Sequence, residues 1–254
     1  MQIEGLKGRT AIVTAAGQNL GRAIALAFAQ AGANVVVNGR NDRAKLEQVA
    51  CEAEALGVRA LPVLADAADW PAVQAMTARA IEVFGQVDIA VAAVGIRPHQ
   101  AFHEISVEDW QRVVDTNLNS AFYLARAVLP GMRAQRFGRI IHLAGSDALF
   151  PLANRAHVVA SKHAVHGLAK AIALEYGPDG ITANSIAPGW IDTKREAAWY
   201  PELAKTYAHV EATIPLRQLG SVDDVAGACL YLASDLGRWV TGQMLHVNGG
   251  EFMF

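Results

Sequence analysis

Two patterns of apolar residues alternate along the chain. Short runs rich in β-branched residues indicate strands, and longer segments with apolar residues at i, i+3 and i+4 indicate amphipathic helices. Six strands are predicted, followed by a seventh near the C-terminus, at positions 10–15, 33–39, 58–64, 87–93, 138–144, 181–187 and 243–247. Strands this apolar are covered on both faces, which favours an α/β fold with a doubly wound parallel sheet and helices on each side.

The chain shows no linker, repeat or low-complexity stretch, so one domain over residues 1–254 is predicted. Long helices are expected at about 107–134 and 155–177. Ser106 and Ser221 precede helical patterns and are predicted N-caps, because a serine hydroxyl accepts hydrogen bonds from free first-turn amides. The longest segment without a strand is 192–216, which is rich in aromatic residues. It is either a substrate lid or an ordinary helical insertion.

Composition excludes several classes of protein. Apolar residues make up 52% of the chain, charged residues 18%, and the net charge is −2 with no basic run, so no nucleic-acid partner is expected. Cys51 and Cys229 lie far apart and match no metal-binding spacing, which predicts reduced thiols and no metal. No targeting segment opens the sequence, and no apolar run approaches the roughly 20 residues needed to span a bilayer. A cytoplasmic protein without a membrane partner is predicted.

The first strand runs into TAAGQNLGRA (14–23), and a helix follows at once. A glycine turn at a helix N-terminus binds phosphate, because unpaired amides and the helix dipole both favour an anion. Here the chain resembles the short-chain dehydrogenase/reductase family, whose turn reads T-G-x-x-x-G-x-G, and the resemblance covers nearly the whole length. Thr14 and Gly21 match, whereas Ala15 and Asn19 replace two glycines. The predicted cofactor contacts of the turn are Thr14, Gly17, Asn19, Leu20 and Gly21.

The resemblance also implies a Rossmann-like fold and a nicotinamide cofactor. Members that use NAD carry an acidic residue after the second strand, but here Gly39 fills that position and Arg40 follows. An arginine there suits the 2′-phosphate of NADP(H), although a solvated loop arginine is the alternative. Asp66 matches the residue that contacts adenine. APGWIDT (187–193) resembles the segment near the nicotinamide, and its candidate contacts are Pro188, Gly189, Ile191 and Thr193.

The catalytic pattern is only half kept. In the family a tyrosine stands four residues before a lysine, so that both lie on one helix face and the lysine charge lowers the tyrosine pKa. Lys162 matches the lysine and Asn117 matches the asparagine that holds a water in the proton relay. The tyrosine position is Val158, which can neither donate nor accept a proton. The family serine, thirteen residues earlier, falls on Gly145, and Ser146 comes one residue late.

Losing a general acid removes about 10²–10⁴ in rate, which proximity and orientation can offset, so hydride transfer remains feasible. The candidates for proton delivery are His157, Ser146, His99, Tyr200, and a water relayed through Asn117 and Lys162. His157 adjoins the vacant position, yet neighbouring helical residues point about 100° apart. Arg97 is either a ligand for an anionic substrate group or a solvated loop arginine.

Three classes of function remain open. The first is an NADP(H)-dependent oxidoreductase with atypical proton delivery, which reduces a carbonyl or activated C=C bond of a small molecule. The second is a non-redox lyase, isomerase or dehalogenase on the same scaffold. The third is a catalytically silent binding or regulatory protein. By resemblance the chain is expected to form a homodimer or homotetramer, with the helices at 107–134 and 155–177 as one interface.

Overall fold

A parallel sheet of seven strands forms the centre of the protein. The computed structural model describes residues 4–253, apart from the side chain of Ala198. The strand order is β3-β2-β1-β4-β5-β6-β7, and every neighbouring pair is parallel. The strands are β1 (Thr10–Val13), β2 (Asn34–Gly39), β3 (Ala60–Leu64), β4 (Ile89–Ala92), β5 (Gly138–Leu143), β6 (Ile181–Pro188) and β7 (Met244–Val247). The predicted single-domain, Rossmann-like fold class is confirmed, and each strand lies within two residues of its predicted bounds.

Six of the eight α-helices in residues 4–253 cover the two faces of the sheet. Side chains of α1, α2 and α8 form one core with the sheet, and those of α3, α5 and α6 form the other. Within residues 4–253, no helix is both long and apolar enough to cross a membrane. The helices are α1 (Asn19–Gln30), α2 (Arg43–Ala55), α3 (Trp70–Phe84), α4 (Val107–Val114), α5 (Ser120–Ala134), α6 (Ala156–Tyr176), α7 (Leu203–Thr213) and α8 (Val222–Ala233).

Local signals place these helices as the sequence predicted, with one difference. The Ser106 hydroxyl accepts from the Asp109 amide at 3.0 Å, and Ser221 forms a capping box with Asp224, so both predicted N-caps are confirmed. The predicted helix at 107–134 is not one regular α-helix, because a π-helical turn over Asp115–Asn119 separates α4 from α5. Such turns are rare and occur frequently at functional sites.

The strand order reverses between β1 and β4, and this arrangement defines where a ligand can bind. In doubly wound sheets the crevice outside the carboxyl ends of the strands, at the reversal, is the usual ligand site. Thr14 joins the two strands there. Its hydroxyl donates to the Val91 carbonyl at 3.3 Å and accepts from the Ala93 amide at 2.9 Å. Thr14 is buried, so it holds the floor of the crevice together.

A buried carboxylate ties the opposite, amino end of the sheet. Asp88, just before β4, is 0% exposed and accepts hydrogen bonds at 2.9 Å from both the Arg9 guanidinium and the Thr10 amide. The Gln86 side chain also donates to it at 2.8 Å. This carboxylate therefore fixes the start of β1 against the start of β4.

Asp88→Ala is expected to lower the free energy of unfolding by about 2–3 kcal/mol, because the Arg9 charge and the Thr10 amide lose their acceptor. Urea unfolding monitored by circular dichroism measures the change. Glu54→Ala, at an exposed position of α2, is the matched control and should leave stability within about 0.5 kcal/mol of wild type. Equal stability of the two variants would contradict the role given to Asp88.

Candidate active site

A cleft of about 260 Å³ opens at the carboxyl ends of the strands, where the strand order reverses. The glycine turn forms one wall, the loop after β4 another, and the segment after β6 the third. Arg97 and Tyr200, named above as candidate substrate or proton ligands, also line it. The predicted site residues that line the cleft are Asn19, Leu20, Gly21, Lys162, Pro188, Gly189, Ile191 and Thr193.

The glycine turn keeps its shape despite two missing glycines. Ala15 and Asn19 adopt left-handed backbone angles, with φ of 53° and 48°. Gly21 is required, since a Cβ there would lie 2.2 Å from the Ala15 carbonyl oxygen. Gln18 precedes α1 without a side-chain cap, so the first amides of α1 stay available to a ligand. The turn therefore fits a phosphate group.

The Asn19 side chain joins two walls of the cleft. Its amide nitrogen donates to the Lys194 carbonyl at 3.0 Å, and its oxygen accepts from the Lys194 amide at 3.2 Å. A glycine at this position would make neither bond. The segment after β6 is thus held against the glycine turn by a side chain that replaces a family glycine.

Arg40 and Asp66 lie together at the ends of β2 and β3, beside the cleft rather than in its lining. Their side chains form an ion pair at 3.5 Å and are 59% and 39% exposed. The pair is loose, so the guanidinium remains accessible to an anion. Gly17 sits near α2, where a Cβ would lie 3.3 Å from Leu46. The Ala16 amide of the turn donates to the Asn38 carbonyl at 2.7 Å, so Arg40, two residues further on, follows a strand end that contacts the turn.

Lys162 brings an ammonium group to the buried end of the cleft. It is 3% exposed, and its Nζ donates to the Leu143 carbonyl at 2.7 Å. Burial, and then the positive charge of Arg97, lower its pKa from 10.5 to about 7. Gly95 leaves room beside it, since a Cβ there would lie 3.1 Å from Nζ. The amine can therefore exchange a proton near neutral pH with a group in the cleft.

Asn117 belongs to the π-helical turn and lies beside Lys162 of α6. Its side-chain oxygen accepts from the Ile96 amide at 2.8 Å, and its nitrogen donates to the Ile96 carbonyl at 3.1 Å and the Ser161 hydroxyl at 3.0 Å. A Cβ at Gly95 would lie 3.6 Å from the Asn117 oxygen. The structure thus brings Asn117, Gly95 and Lys162 together at one point.

The remaining predicted catalytic residues lie elsewhere. Val158 and His157 are both 0% exposed, and neither lines the cleft. The His157 Nδ1 accepts from the Val158 amide at 3.1 Å, and burial lowers its pKa. Ser146 lines a smaller neighbouring cavity. At Gly145, in the place of the family serine, a Cβ would lie 3.2 Å from the Arg97 guanidinium.

His99 and Tyr200 belong to a network that the sequence analysis missed. The Arg155 guanidinium donates to the His99 ring and to the Tyr200 hydroxyl, the latter at 3.2 Å. It also pairs with Asp147 at 3.3 Å, and both charged side chains are 4% exposed. No spacing in the sequence connects these four residues. The aromatic residues of 192–216 were the one available signal, because Tyr200 belongs to that segment.

These features define a nicotinamide-dependent class of protein. A family model described as Enoyl-(Acyl carrier protein) reductase matches residues 14–251. The chain belongs to the short-chain dehydrogenase/reductase family, an oxidoreductase family that uses NAD(P). Within residues 4–253 no three histidine, cysteine or acidic side chains gather as a metal site.

Individual relatives have several activities. The 3-oxoacyl-(acyl-carrier-protein) reductase FabG of Staphylococcus aureus is 36% identical over 96% of this chain and 98% of its own. The L-rhamnose 1-dehydrogenase (NAD(P)(+)) of a Sphingomonas species is also 36% identical, over 98% of each chain. Among solved structures, a candidate gluconate dehydrogenase of Agrobacterium tumefaciens has a TM-score of 0.92 at 32% identity, and covers 99% of this chain and 98% of its own.

Lys162→Met is expected to change how stability depends on pH. Between about pH 7 and 10.5, Lys162 of the wild type is protonated in the unfolded chain but not in the folded chain. The free energy of unfolding therefore rises with pH through that window. The variant lacks this rise. Its free energy of unfolding relative to wild type should therefore be highest near pH 6–7 and decline towards pH 9.5.

Urea unfolding of both proteins at pH 6, 7, 8 and 9.5 measures this difference. Lys170→Met, an exposed position of the same helix, is the control and should show no pH-dependent difference from wild type. If the difference between Lys162→Met and wild type did not change with pH, the buried amine would not have the lowered pKa.

Proposed function

We propose that this protein is an NADP(H)-dependent oxidoreductase that reduces a carbonyl, or an activated C=C bond, of a small molecule with atypical proton delivery. The observation that carries the proposal is the position of the Lys162 ammonium group. It lies at the buried end of the cleft, beside Asn117 and Gly95, and the phosphate-binding turn forms the facing wall.

The chain has residues to hold each part of the dinucleotide. The glycine turn, with Asn19, Leu20 and Gly21, would take the pyrophosphate at the N-terminus of α1, and Thr14 would support the turn from the floor of the crevice. Lys162 would hold the nicotinamide ribose, and Arg40 the 2′-phosphate. When bound, NADPH supplies the hydride. The remaining assigned contacts are Gly17 with the turn, Asp66 for adenine, and Pro188, Gly189, Ile191 and Thr193 for the nicotinamide.

The proton comes from Lys162 rather than from a phenol. An ammonium group with a pKa near 7 is a competent general acid at neutral pH. Asn117 and the space left by Gly95 can hold a water that passes this proton to the substrate oxygen. For a carbonyl substrate, the carbon would take the hydride that bound NADPH supplies, and the oxygen would take this proton.

The other candidates for proton delivery are less well placed. His157 is fully buried beside α4 and does not line the cleft. The ring nitrogen of His99 receives a hydrogen bond from Arg155, so that nitrogen is not free to serve the substrate. Ser146 opens into the smaller cavity. We therefore assign Ser146 and Tyr200 to substrate contact and give His157 no part in proton transfer.

The segment 192–216 acts as a substrate lid. Six of its residues between Thr193 and Tyr200 line the cleft, and α7 follows in the sequence. Asn19 bonds twice to Lys194 in this segment. Nucleotide entry would then break the Asn19 contact and move the segment away from the glycine turn.

The competing functions are a silent binding protein and a non-redox enzyme. Either would have no need for a phosphate-binding turn together with a buried amine that can lose its proton near neutral pH. Oxidation of NADPH by an acceptor separates the redox function from both alternatives, and a failure to bind NADPH would exclude the redox function.

The protein is further proposed to form a homodimer or homotetramer and to act in the cytoplasm. A groove of about 490 Å³ runs between α5 and α6, with Phe122, Leu129 and Leu168 on its walls. Leu174 on α6 is 86% exposed. A second copy would cover these apolar side chains. Cys51 and Cys229 are free thiols, as a reducing compartment allows.

NADPH is expected to bind in the micromolar range and more tightly than NADH. Arg40→Ala should weaken NADPH binding about 10- to 100-fold and leave NADH binding unchanged, because only the 2′-phosphate loses its guanidinium. Titration by nucleotide fluorescence measures both affinities. Arg79→Ala, at an exposed arginine of α3, should change neither. Equal affinity of the wild type for both nucleotides would refute the NADP(H) preference.

The rate of reduction is expected to fall as the pH rises above about 7, because the Lys162 ammonium then loses its proton. Bound phosphates favour the charged form, so the bend lies at or somewhat above this value. Lys162→Met should lower kcat/KM about 10²–10⁴-fold. The measurement is kcat/KM from pH 5.5 to 9.5, with an acceptor found by screening carbonyl and C=C compounds. A flat wild-type profile would exclude Lys162 as the acid.

A further inference from the structure

A second, smaller cavity of about 80 Å³ adjoins the cleft. Arg97, Arg195 and Tyr200 line both spaces, so a ligand in the cleft can extend into the cavity. Ser146 also lines the cavity, together with the stacked rings of Phe150 and Phe252, whose centroids lie 3.7 Å apart. One water needs roughly 10–15 Å³ on this measure, so the cavity has room for a small polar group such as a carboxylate.

Arg97 presents a half-buried positive charge without a partner. Its guanidinium makes no hydrogen bond or ion pair with any of the described residues 4–253. It lies beside a second cation, because its charge helps to lower the pKa of Lys162. A partly buried charge is costly unless it is paired, and no carboxylate of residues 4–253 forms an ion pair with the Arg97 side chain. An anionic ligand would satisfy it.

Arg195 supplies a second guanidinium on the lid side. Its Nε donates to the Tyr207 hydroxyl at 2.9 Å and its Nη2 to the Ile191 carbonyl at 3.0 Å. The rings of Trp190 and Tyr200 lie 5.0 and 4.9 Å from its central carbon, so cation–π contacts fix its position. Within the described part of the chain no carboxylate pairs with it, and its Nη1 has no hydrogen-bond partner.

The acidic side chains of the cavity do not neutralise these two arginines. Asp147 is already paired with Arg155. Glu251 is half-buried with one carboxyl oxygen lacking a partner among residues 4–253, and burial raises its pKa. The cavity lining holds three arginines, Arg97, Arg155 and Arg195, against the two carboxyl groups of Asp147 and Glu251, so positive charge is in excess there.

We propose that the smaller cavity binds the carboxylate of a small oxo acid, held between Arg97 and Arg195, while the carbonyl of the same molecule lies in the cleft beside Lys162. Planar guanidinium groups suit the two oxygens of a carboxylate. The stacked Phe150 and Phe252 provide an apolar wall for a short carbon chain. This inference rests on the proposed function and adds the class of its substrate.

The first test compares acids with their uncharged methyl esters. Levulinate and methyl levulinate, and acetoacetate and methyl acetoacetate, are titrated by calorimetry into the protein with NADP⁺, which cannot reduce them, and into the protein alone. Each acid is expected to bind at least 10-fold more tightly than its ester. Inorganic phosphate is titrated as a rival anion and is expected to bind more weakly than either acid.

The second test removes each guanidinium. Arg97→Met and Arg195→Met are each expected to weaken binding of the acids about 10- to 100-fold, with little change for the esters. Arg195→Lys keeps the positive charge. Comparing it with Arg195→Met separates the effect of losing the charge from the effect of disturbing the contacts with the aromatic rings. Arg79→Met on α3 is the control and should bind like wild type. The affinity for NADPH should stay within about threefold of wild type in all four variants.

The oxo-acid site and the proposed NADP(H)-dependent function can fail separately. Acids that bind no better than their esters would overturn the inference, as would equal losses for acid and ester in the arginine variants, or tighter binding of phosphate. None of these results bears on NADPH binding, which tests the proposed function alone. A protein that binds the acids through Arg97 and Arg195 but does not bind NADPH would keep the anion site and lose the redox function.

Discussion

The Lys162 ammonium group sits in the protein interior at the carboxyl end of β5, bonded to the Leu143 carbonyl and open to the cleft beside Gly95. Taking a charge out of water lowers the pKa of an amine, and a second cation nearby lowers it further. In the function proposed here, a lysine that at a pKa above 10 would only orient a ribose also serves as the acid at neutral pH. The proposed chemistry depends on this burial.

Several residues that depart from the family pattern lie around the same cleft. Asn19 replaces a glycine and bonds to the segment after β6, and Ala15 still adopts the left-handed angle that the turn needs. At Gly145, where a serine is usual, the Arg97 guanidinium approaches instead. The serine hydroxyl that is usual there is thus absent, and a positive charge lies near its place. The proposal of an anionic substrate rests on this charge.

The fold was largely predictable, and the site only in part. Apolar runs define the seven strands because a parallel sheet is covered on both faces, and Ser106 and Ser221 fix helix starts through bonds three residues away. Lys162 and Asn117 could be predicted because each belongs to a short family motif that lies within one helical segment. The Asp147–Arg155 pair, by contrast, joins His99 and Tyr200 from distant loops, and no local pattern encodes such contacts.

A crystal structure of the protein grown with NADPH tests the central claim most directly. The account predicts nucleotide density along the cleft, with the pyrophosphate on the first amides of α1 and the Lys162 Nζ within hydrogen-bond distance of the nicotinamide ribose. It also predicts that the Asn19–Lys194 contact opens or shifts to admit the nucleotide. Crystals with saturating NADPH and an empty cleft, or a nucleotide bound away from Lys162, would contradict it.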